Sequence, residues 1–395
     1  MTAMVGRHRR VLVWDIPTRV FHWLLVTATV SAFVTGYVLP QWWLGAHRWA
    51  GYTILVLLAF RFVWAAFGSE YSRLGSFTYS PKETFGHLRG VLMLSPRHYI
   101  GHNPAGAAMI FALAAVLCGL VVTGLLTEGG EEKIGPLAGI ASYAVGDTAK
   151  TIHLILVWTI CLMVAGHLGG VVIESWLTRE NLVAAMITGY KVVPASTHLP
   201  RHRRPHWGAA LASCAALIGG GALILVLLGR MPPRGVPPGP VNATYLRTCG
   251  ICHAPYHPSL LPAASWQAVL SQLDNHFGMD NSKLPAAALV EIAGYLATHS
   301  AEAWDTEAGV RFRIASESEP RRITSMPAWR SIHAAVPAFW FARASVGSKS
   351  RCVACHRDAA SGRFGDSKIS VPMGERDQEP RGESRPTPKY PGLRP

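Results

Sequence analysis

The sequence predicts an all-α membrane protein: a four-helix transmembrane bundle with a fifth transmembrane helix, followed by a mainly α-helical, water-facing domain. Three observations carry this. Half of the 395 residues are hydrophobic and only 15% are charged, a balance that departs from ordinary soluble domains. The apolar residues are concentrated before residue 230. The remainder is polar and proline-rich, and it holds two copies of one short cysteine motif.

Five stretches reach the length of about 20 residues that a helix needs to cross a bilayer: Val20 to Leu39, Trp49 to Phe67, Pro104 to Leu126, Ile152 to Ile173 and Gly208 to Leu228. The third has a start signal, with Asn103 as cap and Pro104 where a missing N–H costs nothing. The first lacks a small-residue cleavage site and is long enough to remain as an anchor. The fifth has no histidine and contains Gly219-Gly220-Gly221, which suits a tether packed on the bundle. Met231 to Pro240 then reads as a semi-rigid spacer. The expected organisation is a bundle over 1–206, the fifth helix and linker over 207–241, an exported domain over 242–373, and a disordered tail over 374–395, which is charged and nearly free of apolar residues.

Basic loops near helix ends stay in the cytoplasm. Arg7, Arg9, Arg10 and Arg19 precede the first helix; Arg73, Lys82, Arg89 and Arg97 lie between the second and third; Arg179, Lys191, Arg201, Arg203 and Arg204 lie between the fourth and fifth. The loop after the third carries Glu128, Glu131, Glu132 and Asp147 against Lys133 and Lys150. The N-terminus is therefore expected inside and, after five crossings, the chain beyond Arg230 outside. The net charge of +14 then reports topology; a nucleic-acid surface would not be interleaved with spanning helices.

Cys118, Cys161 and Cys214 stand singly in apolar helices and read as packing residues. The other four form Cys249-Gly-Ile-Cys252-His253 and Cys352-Val-Ala-Cys355-His356. In a c-type haem site two thiols attach to the haem vinyl groups and the next histidine reaches the iron. A zinc ribbon would hold its pairs about 15–20 residues apart, and a thioredoxin-type pair would need a βαβ context. Structural disulfides would leave both histidines unexplained. Each haem also needs a sixth ligand or an open site. His257, His276, His299, His333, Met279, Met326 and Met373 are the candidates, His257 being a poor one because it follows His253 by only four residues.

The run from Cys249 through Leu261-Pro262-Ala263-Ala264-Ser265-Trp266 to His276-Phe277-Gly278, then Arg322-Ile323-Thr324, His333 and Cys352 to His356, resembles the dihaem cytochrome c family over about Thr244 to Pro372. In that family both haems have two histidine ligands. The resemblance implies His276 and His333 as the distal pair and leaves open which haem each serves.

Ionisable residues inside a membrane are costly and functional, and neutral imidazole is a haem ligand. His22 opens the first helix, His47 opens the second, and His153 and His167 lie on the fourth. Fourteen helical residues return to within about 40° of the starting direction and advance about 21 Å, so His153 and His167 share a face near opposite surfaces. The charge-derived topology pairs His22 with His167 and His47 with His153, one haem above the other. Arg61, fourteen residues beyond His47, falls at the inner level and reads either as a haem-propionate partner or as a snorkelling arginine. His98 and His102, just before the third helix, either face a quinone or cap the bundle, with the structural reading preferred.

Val13-Trp14-Asp15, Pro17-Thr18-Arg19, Phe21-His22-Trp23, His47 to Tyr52, His98 to Pro104 and Arg179-Glu180-Asn181-Leu182 resemble the bacterial cytochrome b561 family and the related hydrogenase cytochrome b subunits over about Val11 to Lys191. That resemblance implies two b haems held by His22, His47, His153 and His167. The joint expectation is an electron-transfer cytochrome carrying two haem b and two covalent haem c, taking electrons from membrane quinol and passing them to a soluble periplasmic cytochrome or other haem protein. Rivals are a subunit of a hydrogenase or other dehydrogenase, catalysis or small-ligand binding at an open c haem, and a non-redox anchor or sensor.

Overall fold

The computed structural model describes residues 8–197, 199, 203–238, 241–281 and 283–372. Arg7, Arg201, the end of the spacer at Gly239 and Pro240, the candidate ligand Met373 and the tail expected over 374–395 lie outside these residues. The chain divides into two compact units. Among the described residues, one comprises the chain up to Thr35, Ala46–Gly124 and Ile152–Val226; the other comprises Gly36–Gly45, Leu125–Thr151 and the chain from Leu227.

The first unit starts with β1 (His8–Leu12), which pairs antiparallel with β2 (Tyr190–Pro194). Its main helices are α1 (Ile16–Phe33), α2 (Leu44–Phe67), α3 (Pro81–Leu92), α4 (Pro104–Gly130), α5 (Tyr143–Thr178), the short α6 (Leu182–Thr188), α7 (Trp207–Cys214) and α8 (Gly220–Gly229). π-type turns extend α1 to Val38 and join α7 to α8. Five segments are long and apolar enough to cross a membrane: Ile16–Val38, Gln41–Phe67, Pro104–Gly130, Tyr143–Thr178 and Trp207–Gly229. Each contains most of one expected span. The fourth starts nine residues earlier than hydropathy alone marks, because Asp147 and Lys150 interrupt the apolar run but not the helix.

Ala28, Ile54, Leu117 and Ile160, one residue from each of α1, α2, α4 and α5, form the apolar centre of the bundle. The outward faces stay uncovered, with Phe62 and Leu162 each 76% exposed, as lipid-facing surfaces require. Cys118 is also exposed, which corrects its expected packing role. α7 packs on α2 through Ala210, Val63 and Trp64, with Trp207 and Trp64 rings 5.0 Å apart. Asp15 caps α1 by accepting from Thr18 N at 2.8 Å and ties it to α2 and the loop beyond through Trp64 Nε1 (3.0 Å) and Ser69 Oγ (2.6 Å). Burial would raise the Asp15 pKa, but the hydrogen bonds from Ser69, Thr18 and Trp64 outweigh it and hold the carboxyl below its ordinary value.

The second unit is built from α9 (Ala243–Cys249), α10 (Ala263–Leu270), α11 (Ala286–His299), α12 (Glu307–Arg311), α13 (Pro327–Ile332) and α14 (Ala338–Ala342), with short 3-10 turns between them. Tyr245, Leu261, Trp266, Ile292, Leu296 and Met326 form its core. The α4–α5 connection belongs to this unit. Buried Lys133 pairs with Asp305 at 3.1 Å, Asp305 accepts from Tyr143 N, and Ser367 Oγ donates to Glu132 at 2.7 Å. These bonds hold the segment before α12 and the segment after the second cysteine motif against that connection.

Candidate haem-binding sites

Two imidazoles bound on opposite sides of one metal, each with a bond of about 2 Å, stand with ring centres on the order of 6 Å apart. His47 on α2 and His153 on α5 meet at 6.0 Å between centroids, with planes at 75°. His47 Nδ1 lies 2.8 Å from the Ala32 carbonyl and therefore donates to it. His153 Nδ1 lies 2.9 Å from Thr123 Oγ1, and that hydroxyl donates to the Gly119 carbonyl at 2.7 Å. The hydroxyl proton being committed, Nδ1–H of His153 is the donor. Both rings thus carry hydrogen on Nδ1 and leave Nε2 with a free lone pair, the arrangement that orients a ligating histidine.

His22 lies two turns into α1, and His167 lies fourteen residues after His153 on α5. His22 Nδ1 is buried without a hydrogen-bond partner among the described residues. Its ring stands edge-on to Trp23 at 5.1 Å. The two pairs along α5 are therefore not equally supported by their surroundings.

In the second unit, α9 delivers Cys249 and the chain turns so that His253 faces His276 at 6.4 Å between centroids, with planes at 21°. His276 is set by a tight turn in which Phe277 (φ 52°) and Gly278 (φ 90°) both take positive φ, closed by His276 N to Met279 O at 2.8 Å. A backbone of this kind suits glycine and is rare for an aromatic residue. His333 ends α13, donates from Nδ1 to the Trp329 carbonyl at 3.0 Å and stacks on the Trp329 indole at 4.4 Å. It stands 6.1 Å from His356, with planes at 73°.

Burial and the neighbouring His253 and Arg321 lower the His276 pKa; burial lowers that of His333; burial and His333 lower that of His356. All three thus favour the neutral form that binds metal. The Cys249 and Cys352 thiols are each pushed up to about 11 by burial. An apolar cavity of about 290 Å³, lined by Tyr256, Pro258, Cys352, Val353 and Phe364 among others, opens beside the second motif. The distances fit haem iron at the His47/His153, His253/His276 and His333/His356 pairs, and hydrogen bonds at Nδ1 orient His47, His153 and His333 for it, whereas His356 Nδ1, like that of His22, is buried without a partner among the described residues.

The other flagged residues have different surroundings. His257 is buried against Trp304 at 4.4 Å with Nδ1 on Ser259 Oγ at 2.8 Å, and burial pushes its pKa down to about 4. His299 Nδ1 donates to the Tyr295 carbonyl, Met326 is fully buried in the core, and Met279 is half exposed beside His276. Arg61 donates to the Ser72 carbonyl at 3.1 Å and lies 5.3 Å from the Phe77 ring centre. His98 is exposed and 3.5 Å from Glu180. His102 packs between Trp14 (4.4 Å) and Phe77 (5.3 Å), and burial pushes its pKa down to about 3. Sequence reading missed Thr123, the Ala32 carbonyl and Trp329, none of which belongs to a motif.

Residues 13–189 match the family model of prokaryotic cytochrome b561, and residues 245–364 match that of dihaem cytochrome c. A Rhodobacter capsulatus protein described as a probable Ni/Fe-hydrogenase B-type cytochrome subunit is 28% identical over 221 residues, a match spanning 47% of this chain and 83% of the relative. The probable Ni/Fe-hydrogenase 1 B-type cytochrome subunit of Escherichia coli K12 is 26% identical over 210 residues, spanning 45% of this chain and 89% of the relative. The solved dihaem cytochrome type c of Shewanella baltica OS155 is 32% identical, with 34% of this chain and 94% of that chain covered, at a TM-score of 0.28.

Proposed function

The chain joins a prokaryotic cytochrome b561 domain to a dihaem cytochrome c domain in one membrane electron-transfer protein, and from that premise we propose that it carries electrons from membrane quinol to a soluble periplasmic acceptor through two haem b and two haem c. Haem iron, when bound, supplies reversible one-electron chemistry, and closed bis-histidine ligation suits it to transfer rather than to gas or peroxide chemistry.

The residues' own roles follow from their bonds. His47 and His153 present Nε2 because Ala32 and Thr123 take their Nδ1 protons. His22 and His167 hold the second b site, with Arg61 as a propionate partner. Cys249 and Cys252 would hold the first c haem together with His253 and His276; Cys352 and Cys355 would hold the second together with His356 and His333. The N-terminus lies in the cytoplasm and the c domain in the periplasm, as the arginine-rich loops favour.

The observation that carries this reading is the recurrence of a 6.0 to 6.4 Å imidazole spacing at three independent pairs. The quinol step is supported by an apolar cavity of about 460 Å³ between α3 and α4, lined by Phe77, Tyr79, Phe85, Leu88 and Phe111 among others. Quinol-driven reduction in membranes, resolved into b and c absorption bands, tests the reading. Four low-spin haems per chain, all reduced by quinol, are expected; absence of b haem in a pyridine haemochrome assay overturns it. The hydrogenase-subunit relatives favour a second reading, in which a partner enzyme supplies the electrons; co-purification of a metalloenzyme with the full chain would establish that source instead.

A further inference from the structure

The second cysteine motif sits in a stretch of one charge sign. From Pro320 to Arg357 the chain carries seven Arg and Lys residues and no Asp or Glu, whereas from Thr244 to Met279, around the first motif, it carries only Arg247 and Asp274. Arg330, Lys349, Arg351 and Arg357 are exposed. The fold gathers several of them at the His333/His356 pair. Lys349 Nζ lies 5.9 Å from the centre of the Trp329 ring that stacks on His333, Arg351 directly precedes Cys352, and Arg357 directly follows His356.

The acidic residues that come next are engaged internally. Asp358 accepts from Gly365 N at 2.9 Å, and Asp366 reaches Lys150 at 3.7 Å. α14 packs on the same Trp329 through Phe341 at 5.8 Å, and on it Phe339 is 57% exposed and stacks on Trp340 at 5.6 Å, with Arg343 3.6 Å over the Trp340 ring. Same-sign charge around a redox site raises association rates with an oppositely charged partner, and aromatic residues with arginine are enriched in interface centres.

Resting on the electron-exit reading above, we propose that the face formed by Lys349, Arg351, Arg357 and the Phe339–Trp340 pair docks an acidic soluble redox protein, so that electrons leave at the second c site. The step moves one electron from the reduced chain to the oxidised partner, with no bond made or broken. Aromatic and basic residues also suit an anionic lipid surface. Lipid over the haem-attachment peptide would close the site to any acceptor, which favours the protein partner.

The test uses the full chain in detergent, reduced by dithionite so that quinol plays no part, and mixed by stopped flow with an oxidised acidic blue copper protein. The oxidation rate is expected to fall about tenfold or more from low to high ionic strength. Joint reversal K349E/R351E/R357E is expected to slow it about tenfold at low salt with the reduced spectrum unchanged, and R247E to slow it less than about twofold. A salt-independent rate, equal damage from R247E, or loss of binding to phosphatidylglycerol vesicles without slower oxidation overturns the proposal. Failure of the electron-exit reading looks different: the wild-type chain would be oxidised by ferricyanide but by no soluble protein, acidic or basic.

Discussion

The Nδ1 of His153 donates to the Thr123 hydroxyl across 2.9 Å, and the same hydroxyl is committed to the Gly119 carbonyl. An acceptor on the far nitrogen makes an imidazole more basic toward metal and stabilises the oxidised ion. Thr123→Val removes the hydroxyl acceptor at nearly constant volume and leaves the Leu120 carbonyl, which also bonds His153. The midpoint potential of one b haem is expected to rise by tens of millivolts, about 59 mV being a tenfold change in the ratio of oxidised to reduced iron. Potentiometric titration of the b band checks this; an unchanged potential would leave Thr123 with a packing role alone.

His253 faces His276, and His356 faces His333. His276→Ala is therefore expected to turn the first c haem high-spin while both haems stay covalently attached, and His333→Ala to do so at the second. Combining each with loss of Cys252 or Cys355 identifies the affected haem in the optical spectrum. If His276→Ala altered the haem on Cys352, the pairing would be crossed and the turn at Phe277 would need another explanation.

How much of this was legible beforehand divides along physical lines. The spans and cysteine motifs are local: hydropathy over about 20 residues marks a bilayer crossing, and Cys-x-x-Cys-His lies within five residues. The 14-residue spacing of His153 and His167 is likewise set by one helix. The pairing of His276 and His333 with particular motifs was not legible, because it depends on how α10 to α13 pack, which no short pattern encodes. Nor was the start of α5 at Tyr143, since its first polar turns are stabilised by Lys150 pairing with Glu131 at 2.9 Å and not by lipid. The β1–β2 pair went unseen because its strands are nearly 180 residues apart and only five residues long.

Lys133 and Asp305 form a buried ion pair at 3.1 Å, the lysine side chain wholly inaccessible and the carboxylate partly so. Burial lowers the lysine pKa, while Asp305 pulls the other way. Removing one partner leaves an uncompensated buried charge, worth about 3–5 kcal/mol in favourable cases. Asp305→Ala is expected to destabilise the second unit by an amount of that order and to expose the α4–α5 connection to protease. Lys133→Met with Asp305→Leu should restore most of the loss, as read by thermal unfolding and limited proteolysis.

Glu307 is raised to about 7 by burial and by Asp366, with Arg311 and Lys150 opposing. Its carboxyl binds a proton in the folded chain at a pH where the unfolded chain has lost it. The stability contribution is therefore fully present below the ordinary carboxylate value of 4.5 and is lost as pH rises through about 7. Glu131, raised by burial and partly offset by Lys150, acts in the same direction. Glu307→Gln should flatten the decline in melting temperature between pH 5 and pH 8. A wild-type stability that rose over that interval would contradict the assignment.

The cavity between α3 and α4 is closed on one side by Phe77, whose ring also touches His102 and lies near Arg61. Ala107 and Phe111 line its α4 wall one turn apart. If quinol enters here, filling the space should obstruct substrate while leaving the four histidines of the bundle alone. Ala107→Phe is expected to raise the KM for quinol about tenfold or more, since a bulky side chain must displace part of the bound ring. The haem spectrum and the dithionite-reducible b content should not change. A rise in KM with constant kcat would mark lost binding. Unaltered kinetics, with the variant folded and fully haem-loaded, would move the quinol site away from α3.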